Sequence, residues 1–147
     1  MLVARLPGRK ARDRGKVRAA QGKTRMPTIL VVDDEPLIRW ALREGLEGAG
    51  FAVIEAGSAR ETLESLDRPT HPVTVALLDV RLPDSDDLGL LRRIRQSAPD
   101  CRVIMMTAHG APDLLAEALT AGAFDAISKP FDIVRVVNLV RAAQAAA

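Results

Sequence analysis

Short apolar runs in this chain stop, again and again, at a residue that carries chemistry. Thr28–Val32 leads into Asp33-Asp34, Val73–Leu78 into Asp79, Arg102–Met106 into Thr107, and Phe124–Ser128 into Lys129-Pro130. A fifth run, Ala52–Glu55, is shorter and lacks such an ending. Thr28–Val32 is almost unbroken in its hydrophobicity, as expected of a strand buried on both faces. Strands that alternate with helices fold into a parallel sheet covered on both sides and joined by right-handed crossovers. The expectation is therefore an α/β protein with a doubly wound, five-stranded parallel sheet.

The intervening segments carry helix signals. After Asp33-Asp34-Glu35-Pro36, where acids and proline suit a helix start, Ile38, Ala41, Leu42, Gly45 and Leu46 share one face through about Gly48. Gly50 closes that unit. Ser58 is the expected N-cap of a helix to Leu66, with Glu61 completing a capping box. Pro69-Thr70-His71-Pro72 reads as a turn and Pro83–Asp87 as a loop. Helices are expected over Leu88–Gln96 and Pro112–Thr120, the latter stopped by Gly122, and Asp132 caps a last helix.

The net charge of +2 hides two unlike segments. Residues 1–25 hold nine Lys/Arg and one acid, a balance of +8. The twelve basic and eighteen acidic residues that remain give −6, which suits a cation site and argues against a nucleic-acid surface on the body. The chain divides into a basic, disordered extension over 1–26 and a folded domain over 27–147. Nucleic acid or an anionic membrane would be weak partners of the extension; a non-functional extension weighs more, since Met26-Pro27 stands where a translation start would be natural. No apolar run approaches the roughly 18 residues that span a bilayer, so no membrane insertion is expected. A single cysteine, Cys101, excludes an internal disulfide and fits a cytoplasmic protein. His71 and His109 are the only histidines, and no Cys/His cluster has zinc spacing.

In open parallel sheets, ligands bind beyond the carboxyl ends of the strands, where strand order reverses. With the order 2-1-3-4-5 that place lies between the first and third strands, which end at Asp33-Asp34 and Asp79. Each residue alone has an ordinary explanation. The paired aspartates could complement a helix dipole, Thr107 could be an N-cap, and Lys129 a solvated loop residue. Unrelated caps would not all select the same sheet edge. Three carboxylates facing one lysine stabilise a fold poorly, since a like-charged pair at roughly 4 Å costs about 4 kcal/mol at an effective dielectric near 20. They are a good cradle for Mg²⁺, which prefers hard oxygen donors.

Val31-Val32-Asp33-Asp34-Glu35-Pro36, Leu77-Leu78-Asp79-Val80-Arg81-Leu82-Pro83-Asp84, Met106-Thr107-Ala108, and Gly122-Ala123-Phe124-Asp125 with Ser128-Lys129-Pro130-Phe131-Asp132 resemble the receiver domain of two-component response regulators. The resemblance covers residues 28–143, with separations of 45 from Asp34 to Asp79, 28 to Thr107 and 22 to Lys129. It implies a flavodoxin-like fold and a phosphorylation-dependent signalling module rather than an enzyme. Asp79 would be the phosphoacceptor, supplied by a sensor histidine kinase, a histidine phosphotransfer protein or a small phosphodonor. Asp34 would ligate Mg²⁺ directly and Asp33 through water, with the Asp79 carboxylate and the Arg81 backbone carbonyl completing the set. Lys129 would pair with Asp79 at rest and with the phosphoryl group afterwards. Thr107 would turn its hydroxyl to that group, and the Lys129-Pro130 bond would be cis. A homodimer through the fourth helix, fifth strand and fifth helix is also implied.

The sequence departs from the family at two positions. Ala126 stands where an aromatic switch residue is usual. Phe124, two residues earlier, shares its face by strand alternation and either substitutes in part or packs in the core. Asp87 replaces a common glycine. Arg81 and His109 flank the site at its variable positions, and Trp40 lies off the apolar stripe of the first helix, so partly exposed. Competing readings are a truncated receiver of a longer transcriptional regulator and a Mg²⁺-dependent phosphatase. The phosphatase needs a further acid/base aspartate just after the nucleophile, where this chain has Val80-Arg81-Leu82.

Overall fold

The computed structural model describes residues 27–67, 72–85, 88–108 and 112–146. The basic segment 1–26, the Pro69-Thr70-His71 part of the expected turn, Asp87 and His109 lie outside the described residues. The elements are β1 (Thr28–Val32), α1 (Pro36–Gly48), β2 (Ala52–Ala56), α2 (Ala59–Leu66), β3 (Val73–Asp79), α3 (Gly89–Ser97), β4 (Arg102–Thr107), α4 (Pro112–Thr120), β5 (Asp125–Ser128) and α5 (Ile133–Ala146). The strands pair in parallel in the order β2-β1-β3-β4-β5. The doubly wound sheet expected from the apolar runs is the one found.

Period-two alternation divides the core into two layers. Leu30, Val32, Ala76, Leu78, Val103 and Met105 face α3, where they meet Leu91 and Ile94. Ile29, Val31, Val75, Leu77, Ile104 and Met106 face α1 and α5, meeting Leu42, Leu46, Val136 and Val140. Register then aligns the chemistry. Val32 lies opposite both Ala56 and Leu78, and Thr107 opposite Ser128. The polar residues that follow β1 and end β3 and β4 therefore reach one edge.

Two helices end in the same way. Gly50 and Gly122 adopt φ of 99° and 106°, open to glycine at little cost. Gly50 and Phe51 donate to the Glu47 and Leu46 carbonyls, and Gly122 and Ala123 to those of Leu119 and Ala118. This is the Schellman pattern, which satisfies orphan carbonyls and turns the chain into the next strand. At α2, Ser58 Oγ accepts from Glu61 N at 3.1 Å as expected, but Glu61 Oε1 accepts from Gly57 N at 2.7 Å, one residue before the cap. Asp132 Oδ1 accepts from Val134 N at 2.9 Å and opens α5.

One expectation fails. β5 begins at Asp125, so Phe124 precedes the strand and alternation does not reach it. Phe124 packs in the α1/α5 layer, whereas Ala126 packs in the layer of α3 and α4. Phe124 therefore cannot stand in for an aromatic at Ala126.

Candidate functional site

The site is built where β1 and β3 separate the two halves of the sheet. Asp33 is fully buried, Asp79 is 8% exposed and Asp34 is exposed. One carboxylate oxygen from each lies within 4.8 Å of the others. Such crowding of negative charge needs compensation. Lys129, arriving from the end of β5, places Nζ 2.7 Å from Asp33 Oδ2 and 3.4 Å from Asp79 Oδ2. The lysine thus bridges two carboxylates, and its shorter bond goes to Asp33. The reason is burial: Asp33 has no solvent, so it takes the strongest donor within reach. Glu35 Oε1 is 3.9 Å from the same ammonium.

The two carboxylates that Lys129 bridges are also oriented by backbone. Asp33 Oδ1 accepts from Glu35 N at 3.0 Å, and Asp79 Oδ1 from Arg81 N at 3.1 Å. Both are turns in which a side chain holds the chain two residues on. Lys129 N donates to the Thr107 carbonyl at 2.8 Å, locking the β5 end to β4, and Thr107 itself is buried. The Lys129-Pro130 bond is cis.

Electrostatics mark Asp79 as the unusual group. Burial raises its carboxyl above the ordinary range and the Asp33 charge adds to this, against the Arg81 amide and Lys129, which pull it down. Lys129 titrates above its usual range: burial disfavours its charge, but its bond to Asp33 and the charges of Asp33 and Asp79 prevail. A partly desolvated carboxylate held beside a cation at a sheet edge is a candidate for chemistry.

Beside the acids, a cleft of about 490 Å³ is lined by Glu35, Ile38, Ala108, Lys129, Pro130 and Phe131. Trp40 is 58% exposed on α1, as its place off the apolar stripe requires. On α4, Ala118 is buried and Leu114 packs inward, whereas Leu115 and Leu119 are exposed. Two supporting residues escape a reading of the sequence. Asp84 accepts from the first two amides of α2, Ala59 N at 2.7 Å and Arg60 N at 3.0 Å. Arg39 donates to the Asp33 carbonyl at 2.5 Å. Nothing local announces either bond: Asp84 reaches α2 only through the fold, and Arg39 turns back to the Asp33 carbonyl only because Glu55 of the neighbouring strand holds it there.

The arrangement is a Mg²⁺-compatible acidic site with one lysine at the switch point of a doubly wound parallel sheet. Compared with known proteins, the chain matches the response regulator receiver domain over residues 29–141, and it belongs to this family. It is 43% identical over 115 residues to the DNA-binding transcriptional regulator NtrC of Escherichia coli (strain K12), covering 78% of this chain and 24% of that protein. The chain thus spans about a quarter of the length of the curated relatives it matches. Among solved structures, it resembles the receiver domain of NtrX from Brucella abortus (31% identity, TM-score 0.75, 81% of this chain and 99% of that chain). It also resembles a response regulator receiver domain protein from Clostridium thermocellum (29% identity, TM-score 0.77, 82% and 96%). The family is a signalling domain of two-component systems, phosphorylated by histidine kinases. Among the described residues, no helix is long and apolar enough to cross a membrane.

Proposed function

We propose that Asp79 accepts a phosphoryl group from a sensor histidine kinase or a histidine phosphotransfer protein, and that Asp33, Asp34, Thr107 and Lys129 serve that transfer. The observation that carries this reading is the convergence of three carboxylates and one lysine at the switch point, with the Asp79 carboxyl raised by burial and by Asp33. The donor set fits Mg²⁺: hard carboxylate oxygens, one of them on exposed Asp34, with Lys129 bridging the other two. Asp34, Asp79 and the Arg81 carbonyl would hold it, with Asp33 reaching it through water. When bound, it neutralises charge on the acids and on the transferring group.

The chain's own part is nucleophile, orientation and charge. An Asp79 oxygen attacks phosphorus as the phosphorus–nitrogen bond of phosphohistidine breaks, and the imidazole leaves with the electron pair. Lys129, released from its 3.4 Å contact with Asp79 Oδ2, pairs with a phosphoryl oxygen. The Thr107 hydroxyl turns to another, drawing the following loop with it. Ala108, exposed on the cleft, leaves room for the group. Water attack on the acyl phosphate returns Asp79 to its resting state.

Output passes through α4, β5 and α5. Exposed Leu115 and Leu119 on α4 fit a phosphorylation-dependent homodimer or partner contact. With Ala126 at the usual aromatic position and Phe124 in the opposite layer, that output runs without an inward-swinging ring. Residues 27–147 are the receiver unit, working in the cytoplasm and, given the coverage of its relatives, within a longer transcriptional regulator. Intact-protein mass after incubation with Mg²⁺ and a small phosphodonor tests the core of this reading. One phosphoryl adduct is expected, dependent on Mg²⁺ and absent in Asp79→Asn. No adduct on folded wild type, with several donors and a partner kinase, would reject it.

A further inference from the structure

Arg39 lies in the first turns of α1, yet its side chain is only 20% exposed. Its guanidinium is forked between two acceptors. Nε donates to Glu55 Oε1 at 3.0 Å and Nη1 to the Asp33 backbone carbonyl at 2.5 Å. Glu55, near the end of β2, is itself held below the usual carboxyl range. Burial opposes its charge, but hydrogen bonds from Arg43 and Arg39 overcome that cost. Gly57 leaves room for the fork: a Cβ there would stand 3.2 Å from Arg39 Nη1.

Asp33 is thereby fixed at each of its polar groups. Its amide donates to Ala56 O at 3.1 Å, its carbonyl accepts from Arg39, Oδ1 accepts from Glu35 N and Oδ2 takes Lys129. The carbonyl is the point at which the chain leaves β1, and the next residue is Asp34. Its direction sets where the Asp34 carboxylate is presented. We infer that Arg39 is a positioning residue of the acidic site, holding the Asp33 carbonyl towards β2 so that Asp33 and Asp34 face the cation correctly. This rests on reading the acids as a Mg²⁺ site.

Charge and position predict opposite signs. Removing a positive charge beside three carboxylates should tighten Mg²⁺ binding if Arg39 acts only through its field. Loss of a support should weaken it, as outer-shell partners of metal ligands do. Arg43 is the internal control. It donates to Glu55 Oε2 at 2.6 Å and to Glu47 at 2.9 Å, has the same charge and grips the same carboxylate, but does not touch Asp33.

Calorimetric titration of the full chain with MgCl₂ separates the cases. Arg39→Gln should weaken Mg²⁺ binding roughly tenfold, with Arg43→Gln within about twofold of wild type. Arg39→Lys, which keeps the charge but loses the fork, should also weaken it. Thermal midpoints in a chelator should fall for both glutamine variants, and further for Arg39→Gln, which also leaves the buried Asp33 carbonyl without its donor. The role is overturned if Arg39→Gln binds as tightly as wild type or more tightly, or if both glutamine variants weaken equally. Wild type without saturable Mg²⁺ binding, or binding untouched by Asp34→Asn, would overturn the metal site itself and the positioning role with it.

Discussion

Lys129 divides one ammonium between Asp33 at 2.7 Å and Asp79 at 3.4 Å, and burial together with the Asp33 charge outweighs its pull on Asp79. The Asp79 carboxyl is raised, so the folded state holds that proton more tightly than the unfolded state does. Its favourable contribution is present below the unfolded carboxyl value, near about 3.9, and is lost as pH rises through the raised folded value. At neutral pH, ionised Asp79 is therefore a burden on the fold. Asp79→Asn should melt higher than wild type in a chelator at pH 7, and the gap should close as pH falls through that window. Thermal denaturation as a function of pH checks this; a lower midpoint for the variant at pH 7 would contradict it. Elsewhere, the Cys101 thiol is pushed up to about 11 by burial, so it packs as a small apolar group and takes no part in the chemistry.

At the scale of elements, α1 and α5 meet through Gly45. A Cβ there would lie 2.3 Å from Ile133 Cγ2, whereas one at Gly48 would meet nothing within 4 Å. Helix propensity favours alanine over glycine by about 1 kcal/mol at either position. Overpacking of a tight contact costs about 1–3 kcal/mol. Gly45→Ala should therefore lose stability and Gly48→Ala should gain up to about 1 kcal/mol, less near the helix end, in urea denaturation. The start of α2 depends on a different element. Asp84 sits in a tight turn closed by mutual hydrogen bonds of Leu82 and Ser85, at 2.8 Å and 3.2 Å, and accepts from Ala59 and Arg60. Those bonds hold the Asp84 carboxyl below its usual range. Asp84→Ala should speed hydrogen exchange at the Ala59 and Arg60 amides. The Glu61 amide, held by Ser58, should change less; equal acceleration of all three would argue against the tie.

Across the whole molecule, a cation that binds only the folded state adds stability by mass action. Mg²⁺ at about 100 times its dissociation constant should add about 2.7 kcal/mol. A chelator should remove that gain, and Asp34→Asn should abolish it; a Mg²⁺-independent melting curve would deny the site. The acids, threonine and lysine were legible in advance because each ends an apolar run, and one parallel topology sends all such ends to one edge. Arg39 and Asp84 were not legible: their partners lie 6 and 25 residues away, and either side chain could equally have turned to solvent.

The strand order was implied only by the family resemblance, but the sequence by itself determined the alternating strands and helices and the edge that carries the acids. Those follow from periodicity, glycine and cap signals, which act over a few residues and repeat in each βα unit. Tertiary structure alone decided which carboxylate Lys129 prefers, which layer receives Phe124 and what holds the Asp33 carbonyl. These depend on burial and on distances between segments far apart in the chain. Phe124 shows the boundary most clearly: alternation assigns it a face, but the strand begins one residue later, and packing against α1 and α5 decides instead.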